Sequence, residues 1–391
     1  MKQKRIAILG STGSIGRQAL QEISQRQDLD VCALAANSNW QLLADQARQF
    51  RPQAIALSAD AHANQLRRHL GDGVELYTGS DAMSEVIEHV RPDLVLNGVV
   101  GAAGLGPTMT AITCGATPAI ANKETLVMAG EVVMAAAAEA GLEVLPVDSE
   151  HSAIFQCLKA GKRDEVARVV ITASGGALRD WPSEKLASAS VDDALNHPTW
   201  SMGPKITVDS ATLINKALEV VEAHWLFSLP AEQIDVVIHP QSILHSYVEF
   251  QDGSVIAQMG RPDMTLPIAY ALGYPERVDR QQLPLDLPAL GKLSFMPCQG
   301  RFARAVNLGF EVVKRGGLTG AVLNSANEAA VDAFLAGRIS FGQIVPIVEE
   351  LLGKSPSCDE VTLNALLEAD AWSRQQVSEM IGAAESSARK N

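Results

Sequence analysis

At 391 residues, 47% hydrophobic and 20% charged, the chain has the composition of an ordinary globular protein and the length of two or three domains. A formal net charge of -13 argues against general nucleic-acid binding. The five scattered cysteines, with no CxxC pair, argue against a disulfide framework or structural zinc site and fit a reducing cytoplasm.

The basic start Met1–Arg5 runs within a few residues into a glycine-rich turn, so it reads as neither a signal peptide nor a transit peptide. Residues 1–147 then alternate short apolar runs with helical spacing. Strands are expected at Arg5–Leu9, Val31–Ala35, Ala54–Leu57, Leu94–Leu96, Thr117–Ile120 and Leu142–Leu145, and helices at Arg17–Gln25 and Trp40–Phe50. This βαβ rhythm predicts a parallel sheet with helices on both faces, a Rossmann-like domain. The uncharged stretch Leu94–Asn122 carries five glycines and two prolines, so it reads as buried α/β core with turns and not as a membrane span.

Gly10-Ser-Thr-Gly13-Ser-Ile-Gly16 joins the first strand to the first helix. Glycines there let the backbone approach a pyrophosphate at a helix N-terminus. The spacing is GxxGxxG, a relative of the dinucleotide fingerprint, and a tight turn without a ligand is the plain alternative. The second strand ends Ala35-Ala36-Asn37-Ser38-Asn39, without the carboxylate that normally holds an NAD ribose. That favours NADP over NAD, although no Arg or Lys occupies the same tip.

From residue 148 to about 273 the pattern changes to an antiparallel-leaning α/β domain. Strands are expected at Val169–Thr172, Ile234–Ile238, Ser246–Phe250 and Ser254–Met259, the last two joined by a Gln251-Asp-Gly253 hairpin. Asp148 and Glu150, two apart at a presumed strand end, would project to one side and suit a hard divalent cation. The plain alternative is an exposed strand end capping the next helix. Residues Asp209–Trp225 read as mostly helical. On that helix Glu219 supplies a plausible third ligand, with Asn215 one turn away, Lys216 on the same face and Glu222 continuing it.

Ser174-Gly-Gly176 follows a strand, and its hydroxyl and N–H groups suit a phosphate, with Ser210, Asn215 and Lys216 completing the pocket. The segment Ser174–Lys205 has little periodicity after Trp181 and reads as a mobile lid. Trp200 and Met202 would serve equally as core fillers, but Gly203 and Pro204 beside them argue for a loop. His62 and His239 read as structural, and His224 and Trp225 as packing. Residues 274–300, with four prolines, read as a linker. From 301 to 391 the chain reads as a helical domain, frayed over Ala383–Asn391.

Together these residues are more specific than any single motif. The chain resembles the 1-deoxy-D-xylulose 5-phosphate reductoisomerases of the non-mevalonate isoprenoid pathway. The likeness is carried by Gly10–Gly16, Ala121–Glu124, Pro146–Gln156, Ser174–Gly176, His197–Lys205, Val208–Glu219, His239–His245, Gly260–Met264 and Leu323–Glu328. It implies metal-dependent rearrangement and NADPH reduction of 1-deoxy-D-xylulose 5-phosphate to 2-C-methyl-D-erythritol 4-phosphate. Asp148, Glu150 and Glu219 would hold Mg2+ or Mn2+, with Co2+ admissible. Lys123, Glu150, His151, His197, Trp200 and Lys216 would be the catalytic group. Ser149, Ser174, Ser210, Asn215, Glu219 and His245 would join Lys123, Glu150, His197 and Lys216 against the substrate.

NADPH would lie on Thr12, Gly13, Ser14, Ile15, Asn37, Asn39, Asn122, Glu124, Met202, Gly203 and Met264. The resemblance further implies a homodimer formed through the central domain, no nucleic-acid or membrane partner, and a cytoplasmic location. Many relatives carry a glycine and a basic residue where this chain has Asn37 and Ser38, which bears on the grip on the 2′-phosphate. Two other readings stay compatible with the residues alone: a metal-dependent hydroxy-acid dehydrogenase, and a non-enzymatic sensor of NADPH and sugar phosphate.

Overall fold

The computed structural model describes residues 3–71, 73–279 and 285–388. The chain forms two compact units. One comprises Met1–Thr125, Val133–Ser152 and Met264–Gln282; the other comprises Leu126–Val132, Ala153–Asp263 and Leu283–Asn391.

The first unit is built from β1 (Lys4–Leu9), α1 (Ser14–Ile23), β2 (Leu29–Ala36), α2 (Trp40–Phe50), β3 (Ala54–Leu57), α3 (Ala63–His69), β4 (Glu75–Thr78), α4 (Ala82–Val90), β5 (Leu94–Asn97), α5 (Leu105–Thr113), β6 (Thr117–Ile120), the ends of α6 (Lys123–Glu139), whose Leu126–Val132 belongs to the second unit, and β7 (Leu145–Pro146). The strands form one sheet in the order β4-β3-β2-β1-β5-β6-β7, and every pairing is parallel. The inner strands are apolar on both sides because helices cover both faces; Ile6 to Leu9 and Ala54 to Leu57 are fully buried. The strand order reverses between β1 and β5, and the α/β fold leaves its ligand crevice at such a switch point.

Two elements differ from expectation here. β4 has no apolar run to announce it, because it lies at the sheet edge and is half-exposed along its length. Leu142–Val144 is not strand: β7 pairs with β6 only through Leu145 and Pro146, and the chain reaches it from Gly141 in a left-handed turn. As a result Asp148 does not end a strand, and the alternation used to align it with Glu150 does not apply. Both belong to the start of a helix, α7 (Ser149–Cys157).

The second unit contains β8 (Val166–Ala173), α8 (Val191–Leu195), α9 (Pro204–Thr212), α10 (Ile214–Phe227), β9 (Ile234–Ile238), β10 (Leu244–Phe250) and β11 (Val255–Met259). After α11 (Thr265–Gly273), which belongs to the first unit, come α12 (Leu287–Leu290), β12 (Met296–Pro297), α13 (Arg301–Arg315), α14 (Thr319–Leu335), α15 (Ile344–Gly353) and α16 (Leu363–Ala388). Its sheet runs β11-β10-β8-β9-β12 and is antiparallel except for β8 with β9. The hairpin at Gln251–Gly253 joins β10 to β11, with Gly253 at φ +85°.

The expected boundary near 273 falls elsewhere. α11 packs with α1, and Lys4 Nζ donates to the carbonyls of Leu272 and Tyr274, each at 3.3 Å, so Met264–Gln282 joins the first unit. The segment 174–203 is not structureless: it holds a 3-10 turn at Ser183–Ser188 and α8, which Ser190 caps. The presumed linker carries α12 and β12, while its residues 280–284 lie outside the described residues. The expected fraying is absent over 383–388, where α16 continues, and residues 389–391 lie outside the described residues. No helix among the described residues is long and apolar enough to cross a membrane.

Candidate active site

In the first unit the turn between β1 and α1 is shaped for close approach. Gly10 has φ +75°, and a Cβ on it would lie 2.6 Å from the Gly98 carbonyl oxygen; a Cβ on Gly16 would lie 2.4 Å from Ser11 Cα. No side chain caps α1, whose N-cap is Gly13. Its first N–H groups are therefore left for an anion, and the helix dipole favours one there. Thr12 to Ile15 are exposed or half-buried around this turn. These features fit a dinucleotide pyrophosphate.

Asn37 and Asn39 stand exposed at the end of β2. Asn39 Oδ1 caps α2 by accepting from Leu42 N at 3.3 Å, and the Asn37 carbonyl accepts from Ala59 N at 2.9 Å. The Asn122 side chain is engaged within the fold. Its amide donates to the Val99 and Gly101 carbonyls at 2.6 and 2.9 Å, and its Oδ1 accepts from Thr125 N at 3.0 Å. That side chain is occupied with shaping the loop after β5 and capping α6, which leaves only its backbone for a ligand. Glu124 Oε2 also lies 3.2 Å from the same Nδ2, sharing one of its two hydrogens. Met264 also belongs to this unit, at the N-cap of α11.

The carboxylates at the start of α7 are ordered by that helix's own N-terminus. Asp148 Oδ1 accepts from Glu150 N at 3.2 Å and its carbonyl accepts from Ser152 N at 2.8 Å, so Asp148 acts as a cap. The capping alternative and the metal-binding reading are therefore not exclusive. Lys123 Nζ lies 2.9 Å from Asp148 Oδ2, and Ser149 Oγ donates to Glu150 Oε2 at 2.6 Å. Asp148 and Glu150 offer carboxylate oxygens within 4.8 Å of each other. That is a donor set for a hard divalent cation. His151, fully buried, has Nδ1 3.3 Å from Asp148 Oδ1. Since a carboxylate only accepts, that nitrogen carries the proton.

In the second unit β8 ends at Ala173 and the chain turns sharply through Gly175 and Gly176, at φ +85° and +74°. A Cβ on Gly176 would sit 2.4 Å from the Ser210 carbonyl oxygen, so the Ser174 turn and the end of α9 are in backbone contact. Ser174 Oγ accepts from Gly176 N at 3.1 Å and lies 3.0 Å from His197 Nε2. His197 Nδ1 accepts from Thr199 N and Trp200 N at 3.1 and 2.9 Å. An Nδ1 that accepts twice carries no proton, so Nε2 bears the hydrogen and donates to Ser174. With two donors on its oxygen, the Ser174 hydroxyl directs its own hydrogen to a further acceptor. Burial, and secondarily the Arg179 guanidinium, lower the His197 pKa to about 4. His197 is thus a neutral hydrogen-bond donor and not a base.

Trp200 packs its ring 6.2 Å from that of His245, at 54°. His245 is buried on β10, where its carbonyl accepts from Thr172 Oγ1 at 2.7 Å. Met202 is half-buried and Gly203 exposed at the uncapped start of α9.

α9 and α10 are separated by Leu213, at φ +67°. A left-handed leucine costs roughly 1–2 kcal/mol, and no composition signal announces it. The break leaves Asn215 and Lys216 in the first turn of α10. Asn215 Nδ2 and Lys216 Nζ each lie 2.5 Å from an oxygen of Glu219, which is 1% exposed. α10 is held firmly: a Cβ on Gly309 of α13 would meet the Ala217 carbonyl oxygen at 2.3 Å, and one on Gly130 would meet the Trp225 ring at 2.2 Å. His224, which bonds Leu229 O at 2.7 Å, and Trp225 serve packing as expected. His239 is structural too; its ring bonds Ser294 O, Ile243 N and Leu244 N.

Sequence reading overlooked two groups. Arg301 donates to the carbonyls of Trp181 and Arg179 across 120 and 122 residues, pinning the start of the segment after Ser174. Lys205 and Asp209, at i,i+4 helical spacing, form an ion pair at 3.0 Å; the spacing was the available signal.

Three family models match the chain. One of 1-deoxy-D-xylulose 5-phosphate reductoisomerase matches residues 6–130, one of its C-terminal domain matches 144–227, and one described as DXP reductoisomerase C-terminal domain matches 259–376. The 1-deoxy-D-xylulose 5-phosphate reductoisomerase of Synechococcus sp. (strain JA-2-3B'a(2-13)) is 47% identical over 380 residues, covering 96% of this chain and 97% of the relative. That of Gloeobacter violaceus is 48% identical over 379 residues, covering 96% of each. Among solved structures, the Zymomonas mobilis reductoisomerase in complex with NADPH superposes with a TM-score of 0.91 at 38% identity, covering 97% of this chain and 99% of that one. A DOX-P reductoisomerase in complex with NADPH, fosmidomycin and magnesium gives 0.92 at 39% identity, covering 98% and 99%.

Proposed function

The chain belongs to the 1-deoxy-D-xylulose 5-phosphate reductoisomerase family, and on that premise we propose how its residues divide the work of the reaction. The enzyme converts 1-deoxy-D-xylulose 5-phosphate to 2-C-methyl-D-erythritol 4-phosphate in isoprenoid synthesis, with NADPH and magnesium. When bound, the divalent ion supplies Lewis acidity for the carbon-skeleton rearrangement, and NADPH supplies the hydride. Asp148, Glu150 and Glu219 would hold the metal, and the same hard oxygen donors admit Mn2+ or Co2+. One observation carries this assignment: the Asp148 and Glu150 oxygens lie within 4.8 Å of each other, while an ammonium, Lys123, already stands 2.9 Å from Asp148. The pair is preorganised around positive charge.

Ser149, beside Glu150, would orient a substrate hydroxyl, with Lys123 and His151 lining the reacting end. Ser174, Ser210, Asn215 and Lys216 would grip the phosphate. His197 would add a neutral N–H donor while its Nδ1 ties Thr199 and Trp200 to that grip, so that Trp200, with His245, covers the substrate and excludes water. NADPH would lie on Thr12, Gly13, Ser14 and Ile15, with Asn37 and Asn39 at the ribose end. The backbone of Asn122, together with Glu124, Met202, Gly203 and Met264, would border the rest.

We further propose a homodimer formed through β11. It is the edge of its sheet, and Val255 and Ile256 on it are 55% and 38% exposed; an apolar open edge is a template for pairing. Residues 148–273 would work as the catalytic part of the chain, drawing Asp148 and Glu150 from the first unit, and residues from 301 as a helical part, with 174–205 acting as a lid. All five cysteines are free, which suits a cytoplasmic location.

The test is loss of NADPH absorbance on adding 1-deoxy-D-xylulose 5-phosphate, with Mg2+ or Mn2+ and again with EDTA. Metal-dependent oxidation is expected; absence of oxidation with any metal would refute the assignment.

A further inference from the structure

We infer that Asp209 is a positioning residue for the substrate phosphate: clamped between Lys205 and Asn327, it sets the pose of α9 and hence of Ser210. The inference rests on the phosphate role proposed above for Ser210 and Ser174.

Asp209 is 1% exposed, and a carboxylate so buried is costly unless both oxygens are answered. Lys205, one turn earlier, places Nζ 3.0 Å from Oδ2 as an ion-pair partner, and that oxygen accepts no hydrogen bond among the described residues. Asn327, on α14, donates from Nδ2 to Oδ1 at 2.8 Å. Asn327 is itself fully buried, and its Oδ1 has no hydrogen-bond partner among the described residues. An apolar side chain would avoid that desolvation cost, so what the amide contributes at this position is its donation to Asp209.

α9 needs an external anchor. It has nine residues, Gly203 starts it without a side-chain cap, and the left-handed Leu213 ends it. Asp209 ties it to α14, which is in turn braced to α16 by Arg374, 2.5 Å from Glu328 and 2.8 Å from Asp370. The neighbouring residue is Ser210, whose carbonyl is in backbone contact with Gly176. A tilt of α9 therefore changes the spacing between the Ser210 and Ser174 hydroxyls. Lys205, on the other arm of the clamp, lies two residues beyond Gly203, where the segment bearing His197 and Trp200 ends. One buried carboxylate thus links the helical anchor, one phosphate ligand and the exit of the covering segment.

The experiment compares full-length wild type with Asn327→Leu, Asp209→Asn and Lys205→Met. It measures kcat, KM for 1-deoxy-D-xylulose 5-phosphate, NADPH Kd by fluorescence without substrate, and Tm. Each variant is expected to raise KM by about ten- to a hundredfold, the scale of a slight misplacement of binding groups. NADPH affinity should fall far less than substrate affinity, since the Gly10–Gly16 turn is not touched and the clamp reaches the proposed cofactor contacts only at Met202 and Gly203. Variants that lose Tm while keeping the wild-type KM would show a purely structural clamp and overturn the inference. Should Asp209→Asn fail to fold, Lys205→Met decides, because its side chain is partly exposed and its loss opens only one arm. An inactive wild type would instead refute the function itself, which keeps the two failures apart.

Discussion

Lys216 Nζ and Asn215 Nδ2 each lie 2.5 Å from a different oxygen of Glu219, so one carboxylate on α10 is held by two proposed phosphate ligands. The proposed metal and phosphate sites would thereby share a single helical turn. Glu219→Gln keeps an acceptor for Lys216 but removes the charge. Lewis-acid assistance is worth several kcal/mol, so turnover should fall by about a thousandfold, and loss of the counter-charge should lower Tm. NADPH binding, followed by fluorescence, should survive. A variant as active as wild type would remove Glu219 from the metal site.

Gly16 and Gly13 should respond unequally. A Cβ on Gly16 would lie 2.4 Å from Ser11 Cα, whereas one on Gly13 would meet its nearest neighbour, Gly10 O, at 3.2 Å. Gly16→Ala must displace the turn's own backbone and should weaken NADPH binding by more than about tenfold, as expected where the backbone has to approach the pyrophosphate closely. Gly13→Ala should weaken it less. Titration of NADPH fluorescence against both variants checks the order, and the reverse order would place the cofactor elsewhere.

His197 carries a pH signature. Its pKa in the folded chain, about 4, lies below its ordinary 6.5. Between those values the unfolded chain binds more protons, so stability falls as the pH drops from 6.5 towards 4 and is unaffected by this group above that window. Wild type should therefore lose Tm more steeply than His197→Gln over this range. Parallel slopes in the two proteins would mean that the imidazole is not held neutral by the fold.

Ile256→Lys on β11 should convert a dimer to monomers in sedimentation velocity, because it puts charge on the exposed sheet edge. The strand is three pairings away from β9 in the sheet, so the fold should tolerate the change and Tm should shift little. A wild-type chain that sediments as a monomer would defeat the dimer proposal.

Much of this protein is legible without coordinates. The inner strands of the first unit are near-continuous apolar runs separated by turn residues, and burial on both faces produces that signal directly, so Ala54–Leu57 and Thr117–Ile120 fall where expected. The glycines at 10 and 16 are legible because backbone approaches backbone there, and no other residue fits. Family membership is legible because the chemistry-bearing residues cluster in short runs. Tertiary structure decided the rest. β4 escapes notice because an edge strand need not be apolar, and the left-handed Leu213 because leucine gives no hint of positive φ. The donation from Asn327 to Asp209 spans 118 residues, and only the packing of α14 against α9 creates it. The protonation state of His197 likewise depends on which N–H groups the folded chain aims at Nδ1. Local patterns record burial and turn chemistry, whereas the partners of buried polar groups come from distant parts of the chain and exist only once it has folded.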